Sequence, residues 1–287
     1  MKSLSVTLIS SLLFAFSSQA SVVGYWEFED GAFLDDSSGN GNTLTNVGSM
    51  AQVAIPGSGN GSAFPTTIPQ TGASNGSIAD FTATSGVSGF SDADNASYGS
   101  IATSGAFTIE AFINSGSGGG SPEDSRYIAA QYDSGSSQRS WGFQVNQFDG
   151  MTVFLGDMAT FWESPDTADG ILSLNTDYYV AVSFDIATDD AIFYWQNLTG
   201  AGTLQSQTVS LAVDATSLGD PTLDFTIGHS AGSTKRWDAG GFIDSVRLSN
   251  TALSESELLV SVPEPSIVAL MLGAAAGLFV MLRRRRA

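Results

Sequence analysis

An all-β fold is the architecture this sequence predicts, built as a sandwich of antiparallel strands. Apolar and polar residues alternate with period two in many short runs. Those runs are rich in aromatic and β-branched residues, and glycine- and serine-rich turn signals separate them at regular spacing. No cysteine is present, so burial of a core has to hold the fold, with or without help from a metal.

The strands follow in order. Val22, Trp26 and Phe28 share one face near the N-terminus. Phe107, Ile109, Ala111 and Ile113 alternate with Thr108, Glu110 and Phe112, which predicts a strand with one wholly apolar face. Further runs are Arg126–Tyr132, Trp141–Val145, Met151–Leu155, Tyr178–Asp185, Ala191–Gln196, Gln205–Leu211, Leu223–Gly228 and Gly241–Ser249. The glycine clusters at 57–61, 115–120 and 134–137 read as long hairpin loops rather than interdomain linkers, and no internal repeat is visible. One short helix is signalled near the C-terminal end of the body. Ser254 and Glu257 form a capping box there, and Leu253 with Leu258 forms a hydrophobic staple.

The two ends read differently from the body. Lys2 precedes an apolar stretch through Phe16, and Ser18-Gln19-Ala20 offers the small residues that a signal peptidase reads. Residues 1–20 are therefore expected to be a secretory signal peptide. At the other end stand Val262-Pro263-Glu264-Pro265, an apolar run from Ile267 to Leu282, and Arg283-Arg284-Arg285-Arg286. A transmembrane helix over about 266–282 is expected. Sixteen residues from Ile267 to Leu282, at roughly 1.5 Å each, span about 24 Å against a hydrocarbon core of about 30 Å. The span is marginal, and snorkelling arginines make it workable. The arginine cluster belongs on the cytoplasmic side, which puts the body on the far side of the inner membrane.

This tail resembles the PEP-CTERM sorting signal of Gram-negative bacteria. The matching parts are Pro263-Glu264-Pro265, the small residues Gly273 to Gly277, and Arg283 to Arg286, in that order. The resemblance implies processing by an exosortase, a membrane cysteine protease-transpeptidase, and a final place at the cell surface or outside. The other reading is an ordinary single-pass anchor.

Between the ends, residues 21–260 form one domain, followed by the sorting segment 261–287. The formal charge is −19, from 29 acidic and 10 basic residues, and Lys2 with the four terminal arginines accounts for five of those ten. So acidic a body excludes nucleic acid as a partner and attracts divalent cations; it also keeps an exported protein soluble.

A second resemblance covers the body. Tyr25-Trp26-Glu27-Phe28 with Asp36 to Asn42, Phe107 to Ile113, Tyr178 to Asp185, and Gly241 to Ser249 with the helix after it are similar, in that order, to a laminin-G-like domain. The resemblance implies an antiparallel jelly roll of the concanavalin A-like type, whose members mostly bind glycans, matrix proteins or cell surfaces. The stretch from Gly48 to Ser100 is longer and more polar than the family pattern.

Asp36, Ser38 and Asn40 stand at alternate positions before Gly41, like half of a calcium loop. Val47 occupies the place of the closing glutamate, so an EF-hand is rejected. Asp244, on a strictly alternating strand, shares a face with Phe242, Val246 and Leu248, which is costly without a partner or a metal. The family resemblance implies one structural calcium at Asp244, with Glu29, Asp30 or Asn42 as co-ligands. The alternative is an Asx-type turn at Asp36 and backbone amides on Asp244. No catalytic constellation appears: Glu110 and Asp244 each stand alone on a strand, His229 is the only histidine, and no G-x-S-x-G elbow occurs. Binding is expected rather than catalysis. Trp141, Phe161, Trp162, Trp237 and Tyr132 are the candidate ligand contacts, with Phe161-Trp162 before Pro165 as an exposed aromatic pair. Polysaccharide or another surface component is the expected partner. A purely structural envelope protein and a divergent glycan hydrolase are the other readings.

Overall fold

A computed structural model describes residues 22–55, 61–81, 88–116, 125–133, 137–158, 160–212, 216–231, 237 and 241–262, with Thr160, Trp162 and Glu163 described by backbone only. The signal segment 1–20 and the sorting segment from Pro263 to Arg286 lie outside the described residues. Among the described residues no helix is long and apolar enough to cross a membrane.

The strands are β1 (Val22–Trp26), β2 (Thr45–Val47), β3 (Ala51–Ala54), β4 (Ser77–Asp80), β5 (Gly89–Asp92), β6 (Ala106–Asn114), β7 (Arg126–Asp133), β8 (Gln138–Val145), β9 (Met151–Asp157), β10 (Thr160–Glu163), β11 (Asp177–Asp185), β12 (Asp190–Asn197), β13 (Gln205–Ser210), β14 (Phe225–Ile227) and β15 (Phe242–Ser249). Helix α1 spans Ala96–Ser104, and a single 3₁₀ turn spans Glu255–Glu257. Two antiparallel sheets face each other. The larger runs β13-β12-β11-β6-β15-β4-β3, with β1 also pairing β15; the smaller runs β10-β9-β8-β7-β14-β5-β2.

The alternation expected for β6 is what the packing shows. Phe107, Ile109, Ala111 and Ile113 enter the core between the sheets, against Trp26, Phe143, Val182 and Leu248. The opposite face of the larger sheet is also covered. Phe112, Tyr179 and Phe242 pack there beneath Phe64, Ile68, Leu253, Leu258 and Leu259. Two covered faces explain why β6, β11 and β15 are buried along nearly their whole length, polar residues included.

Two bulges alter the expected faces. In β1 the register shifts between Val22 and Gly24, so Val23, not Val22, joins Trp26 and Phe28 in the core. In β15 the register shifts between Asp244 and Arg247, and Ser245 takes a left-handed φ of 48°. An extra residue flips the phase of a strand. Ile243, Val246 and Leu248 therefore all face the core, and Asp244 shares its face with Phe242 but not with Val246 or Leu248.

The segment 48–100 holds β3, β4, β5 and most of α1. The Asn95 side chain caps α1 by accepting from the Ser97 amide, and Gly105 closes it at φ 70°. Only Tyr98 and Ile101 of this helix are buried. The capping box at Ser254 is present, with the Ser254 amide and hydroxyl both donating to Glu257 Oε2, at 2.9 and 2.6 Å, around a turn too short to be an α-helix.

Candidate functional site

On β8 the side chains of Trp141, Phe143 and Val145 enter the core, so Ser140, Gly142 and Gln144 face outward. Pairing puts Phe154 of β9 beside Gly142, and Ala130 of β7 on its other side. A Cβ on Gly142 would stand 3.2 Å from Tyr127 Cε1 and 3.4 Å from Tyr132 Cβ. The missing side chain lets neighbouring rings lie flat across the strand. Phe154 stacks on Tyr132 with centroids 5.4 Å apart and on Tyr127 at 6.3 Å, and meets Phe161 of β10 at 6.2 Å and 55°. Four rings from three strands thus form a row on the outer face of the smaller sheet. Tyr127 and Tyr132 are buried, Phe154 is half-buried, and Phe161 is 45 % exposed at the end of the row.

Polar groups flank the row. Ser140 Oγ and Gln144 Oε1 have no hydrogen-bond partner. Burial raises the Tyr132 hydroxyl pKa, and the adjacent Arg139 partly offsets that rise. Phe161 is the ring of the row that is open to solvent, and an exposed aromatic face suits a ring that is apolar on its face and hydroxylated at its rim, as a pyranose is. An open hollow of about 500 Å³ lies elsewhere, beside α1, lined by Gly99, Ser100, Thr103, Asp220 and Asn250 among others. It has no aromatic wall.

Of the expected contacts, Phe161 is where an exposed ligand contact has to be. The side chain of Trp162 lies outside the described residues. Trp141 and Trp237 are corrections: both are fully buried, Trp141 stacked on Phe107 at 5.0 Å, and Trp237 donating its indole N–H to Asn114 O at 3.2 Å. Trp141 goes to the core by the inward phase of β8, and Trp237, outside any strand, is held there by its bond to Asn114, so neither offers a face to solvent. Tyr127 and Phe154 went unnoticed in the sequence because neither stands out within its strand. The clue was Gly142, an unusual glycine in the middle of an apolar run.

The expected calcium ligands separate. Asp36 Oδ1 accepts from the Tyr25 and Ser38 amides, both at 2.9 Å, and Oδ2 from Ser38 Oγ and the Asn42 amide at 2.8 and 3.1 Å. That is a filled Asx-type turn. Asn42 is no ligand either: Nδ2 donates to Val23 O and Oδ1 accepts from Asn95 Nδ2. Asp30 is exposed. Asp244, by contrast, is fully buried, with Asn75 Nδ2 donating to Oδ2 at 2.8 Å. Asp244 Oδ1 and Asn75 Oδ1 have no partner. Burial holds the Asp244 carboxyl well above the usual carboxylate range, and the nearby Glu29 adds to the rise. Glu29 Oε1 accepts the Gly76 amide at 2.8 Å. These donors are all hard oxygens, the type calcium takes. Among the described residues no three acidic or imidazole side chains stand close enough to hold a metal by themselves. Any ion would rely on Asn75 and neutral oxygens beside Asp244 and Glu29.

Glu110 is fully buried and saturated. Its Oε1 accepts from Arg247 Nε at 2.6 Å; its Oε2 accepts from Tyr179 Oη at 2.6 Å and the Leu259 amide at 2.7 Å. It clamps the C-terminal turn to β6 and faces no cleft. His229 is buried, and burial lowers its pKa, so it stays neutral at neutral pH.

No protein-family model and no curated protein matches the chain. Among solved structures it is similar to the botulinum neurotoxin serotype D binding domain (14 % identity, TM-score 0.52, 84 % of this chain and 51 % of that one). It is also similar to a botulinum neurotoxin type C structure described as interacting with two ganglioside molecules (11 %, 0.50, 84 % and 50 %). A Trypanosoma rangeli sialidase with 2,3-difluorosialic acid is another (15 %, 0.50, 84 % and 32 %). The chain spans about half the length of these toxin domains. At such identities the likeness is one of fold: an all-β sandwich.

Proposed function

We propose that this is an exported envelope or matrix protein whose body, a laminin-G-like jelly roll over 21–260, binds carbohydrate on the aromatic row that ends at Phe161. The row carries the reading: four rings across three strands, one end open to solvent, on an otherwise strongly acidic chain. Solved neighbours of the same fold include a ganglioside-interacting toxin and a sialidase, which supports glycan recognition on such scaffolds. The charge of −19 favours neutral polysaccharide over polyanions. Binding, not turnover, is the activity, since Glu110 is spent on Arg247, Tyr179 and the Leu259 amide. One structural calcium is held by Asp244, Asn75 and Glu29. Signal peptidase removes 1–20, and exosortase acts at Pro263-Glu264-Pro265, with the inner membrane holding the tail until then.

Glycan-array and pull-down binding tests the site, with the producer's own exopolysaccharide included. Phe161 is exposed, so Phe161→Ala leaves the fold intact and is expected to weaken binding about tenfold, equivalent to about 1.4 kcal/mol. Equal binding by wild type and variant removes the row as the site. A chain that binds no glycan leaves only the structural reading.

A further inference from the structure

We propose that two copies of this chain associate edge to edge through β13, joining their larger sheets about a two-fold axis at Thr208. The strand ends its sheet, and no described element pairs with its outer side. Which backbone groups face out follows from the ladder. The Leu211 amide donates to Asp189 O at 2.7 Å, and Val209, Gln207 and Gln205 lie opposite Ala191, Phe193 and Trp195. Antiparallel pairs alternate, so these odd-numbered residues bond to β12, while Ser206, Thr208 and Ser210 turn their N–H and C=O groups outward.

Among the described residues this edge has no break, proline or charge of the kind that blocks pairing. It runs six residues with no register shift, whereas β10 is broken by a shift between Phe161 and Glu163, and β2 and β3 have only three and four residues. It carries no proline, glycine or charge. From Leu198 to Val213 there is no ionisable side chain at all, on a chain of formal charge −19. Two such chains repel each other over most of their surface; on this edge the carboxylate stands at one end, where Asp190 accepts from Ser210 Oγ, and the axis at Thr208 lies away from it.

The outward set also reads as a palindrome. Antiparallel pairing about Thr208 sets Thr208 against the same residue of the other copy, and Ser206 against Ser210. Small hydroxyl residues then meet at each hydrogen-bonded pair, a favourable cross-strand combination, while Gln207 lies against Val209 on the other face. Three pairs that each exchange two N–H···O bonds close an isologous contact. That self-match points to a second copy rather than an unrelated peptide.

The test is sedimentation velocity on the full chain in mild detergent, up to on the order of 100 µM, where a small edge contact is populated. Wild type is expected to dimerise with increasing concentration. Thr208→Pro removes an outward N–H without touching the β12 ladder, and Thr208→Lys sets like charges across the axis. Each is expected to weaken dimerisation at least about tenfold, with an unchanged melting temperature. Should Thr208→Pro not fold, Thr208→Lys and Ser206→Lys carry the test. Phe161→Ala is expected to dimerise as wild type does, which separates this contact from the glycan site. A wild type that stays monomeric over the whole range, or folded variants that dimerise equally well, overturns the proposal.

Discussion

One inserted residue decides the chemistry at Asp244. Without the bulge at Ser245 its carboxyl would point between the sheets with Val246 and Leu248; with it, the carboxyl meets Asn75 on the other face. The carboxyl is raised well above its ordinary value, burial being the main cause. A raised carboxyl contributes stability fully below its unfolded pKa of about 3.9, and loses that contribution as pH climbs to the folded value. In chelator the melting temperature is therefore expected to fall as pH rises above about 4, at a cost of about 1.4 kcal/mol per pKa unit. Calcium favours the ionised form and is expected to offset that fall. Asp92 and Asp94 are raised too, with the same sign, so the comparison is with Asp244→Asn, which abolishes both the calcium effect and its share of the slope. Melting curves of wild type and variant that coincide with and without calcium remove the metal from this site.

Strands were legible wherever one period-two pattern met one core. All ten expected runs are strands, from β1 to β15, and the Phe107–Ile113 alternation matches the packing residue by residue. What escaped was the stretch between Gly48 and Ser100. β3, β4 and β5 are only four residues each, with little alternation to read, and α1 is rich in serine and alanine with only two buried side chains. Its signals were its ends, Asn95 and Gly105. The bulges in β1 and β15 were equally invisible, since nothing local in the sequence marks a skipped pairing. The aromatic row is assembled by register across β7, β9 and β10, and register is not written in any single strand. The cap of α1 offers a check on the element itself. Asn95 Oδ1 accepts the Ser97 amide and Nδ2 donates to Asn42, which in turn holds β1 at Val23. Asn95→Ala is expected to cost more than the usual cap value of about 1 kcal/mol, because a buried amide oxygen on Asn42 loses its donor. Denaturant unfolding measures it; a loss below about 0.5 kcal/mol would mean that the cap acts alone or not at all.

At the scale of the whole molecule, the body and the tail meet at a defined point. Glu110 accepts the Leu259 amide and holds Arg247, whose Nη2 donates to Glu257 O at 2.6 Å. The chain is tied down as far as Ser261, whose amide donates to Leu258 O at 2.9 Å, and the next residue, Val262, is 76 % exposed. The proposed processing requires a cut site free of the folded domain, and the clamp sets where that freedom starts. Glu110→Ala leaves Arg247 buried without its partner, a loss of about 3–5 kcal/mol. It also releases the turn that ends the domain. Intact-mass measurement on protein from the native host is expected to find a mature N-terminus at Ser21 and a C-terminus near Pro263-Glu264-Pro265, with the arginine cluster gone. In cells without exosortase, the arginine-bearing form is expected to stay with the inner membrane. Full-length, uncut chain dissolved in the cytosol of the native host would defeat both the export route and the sorting role of the tail, while leaving the sandwich and its aromatic row to be judged by glycan binding alone.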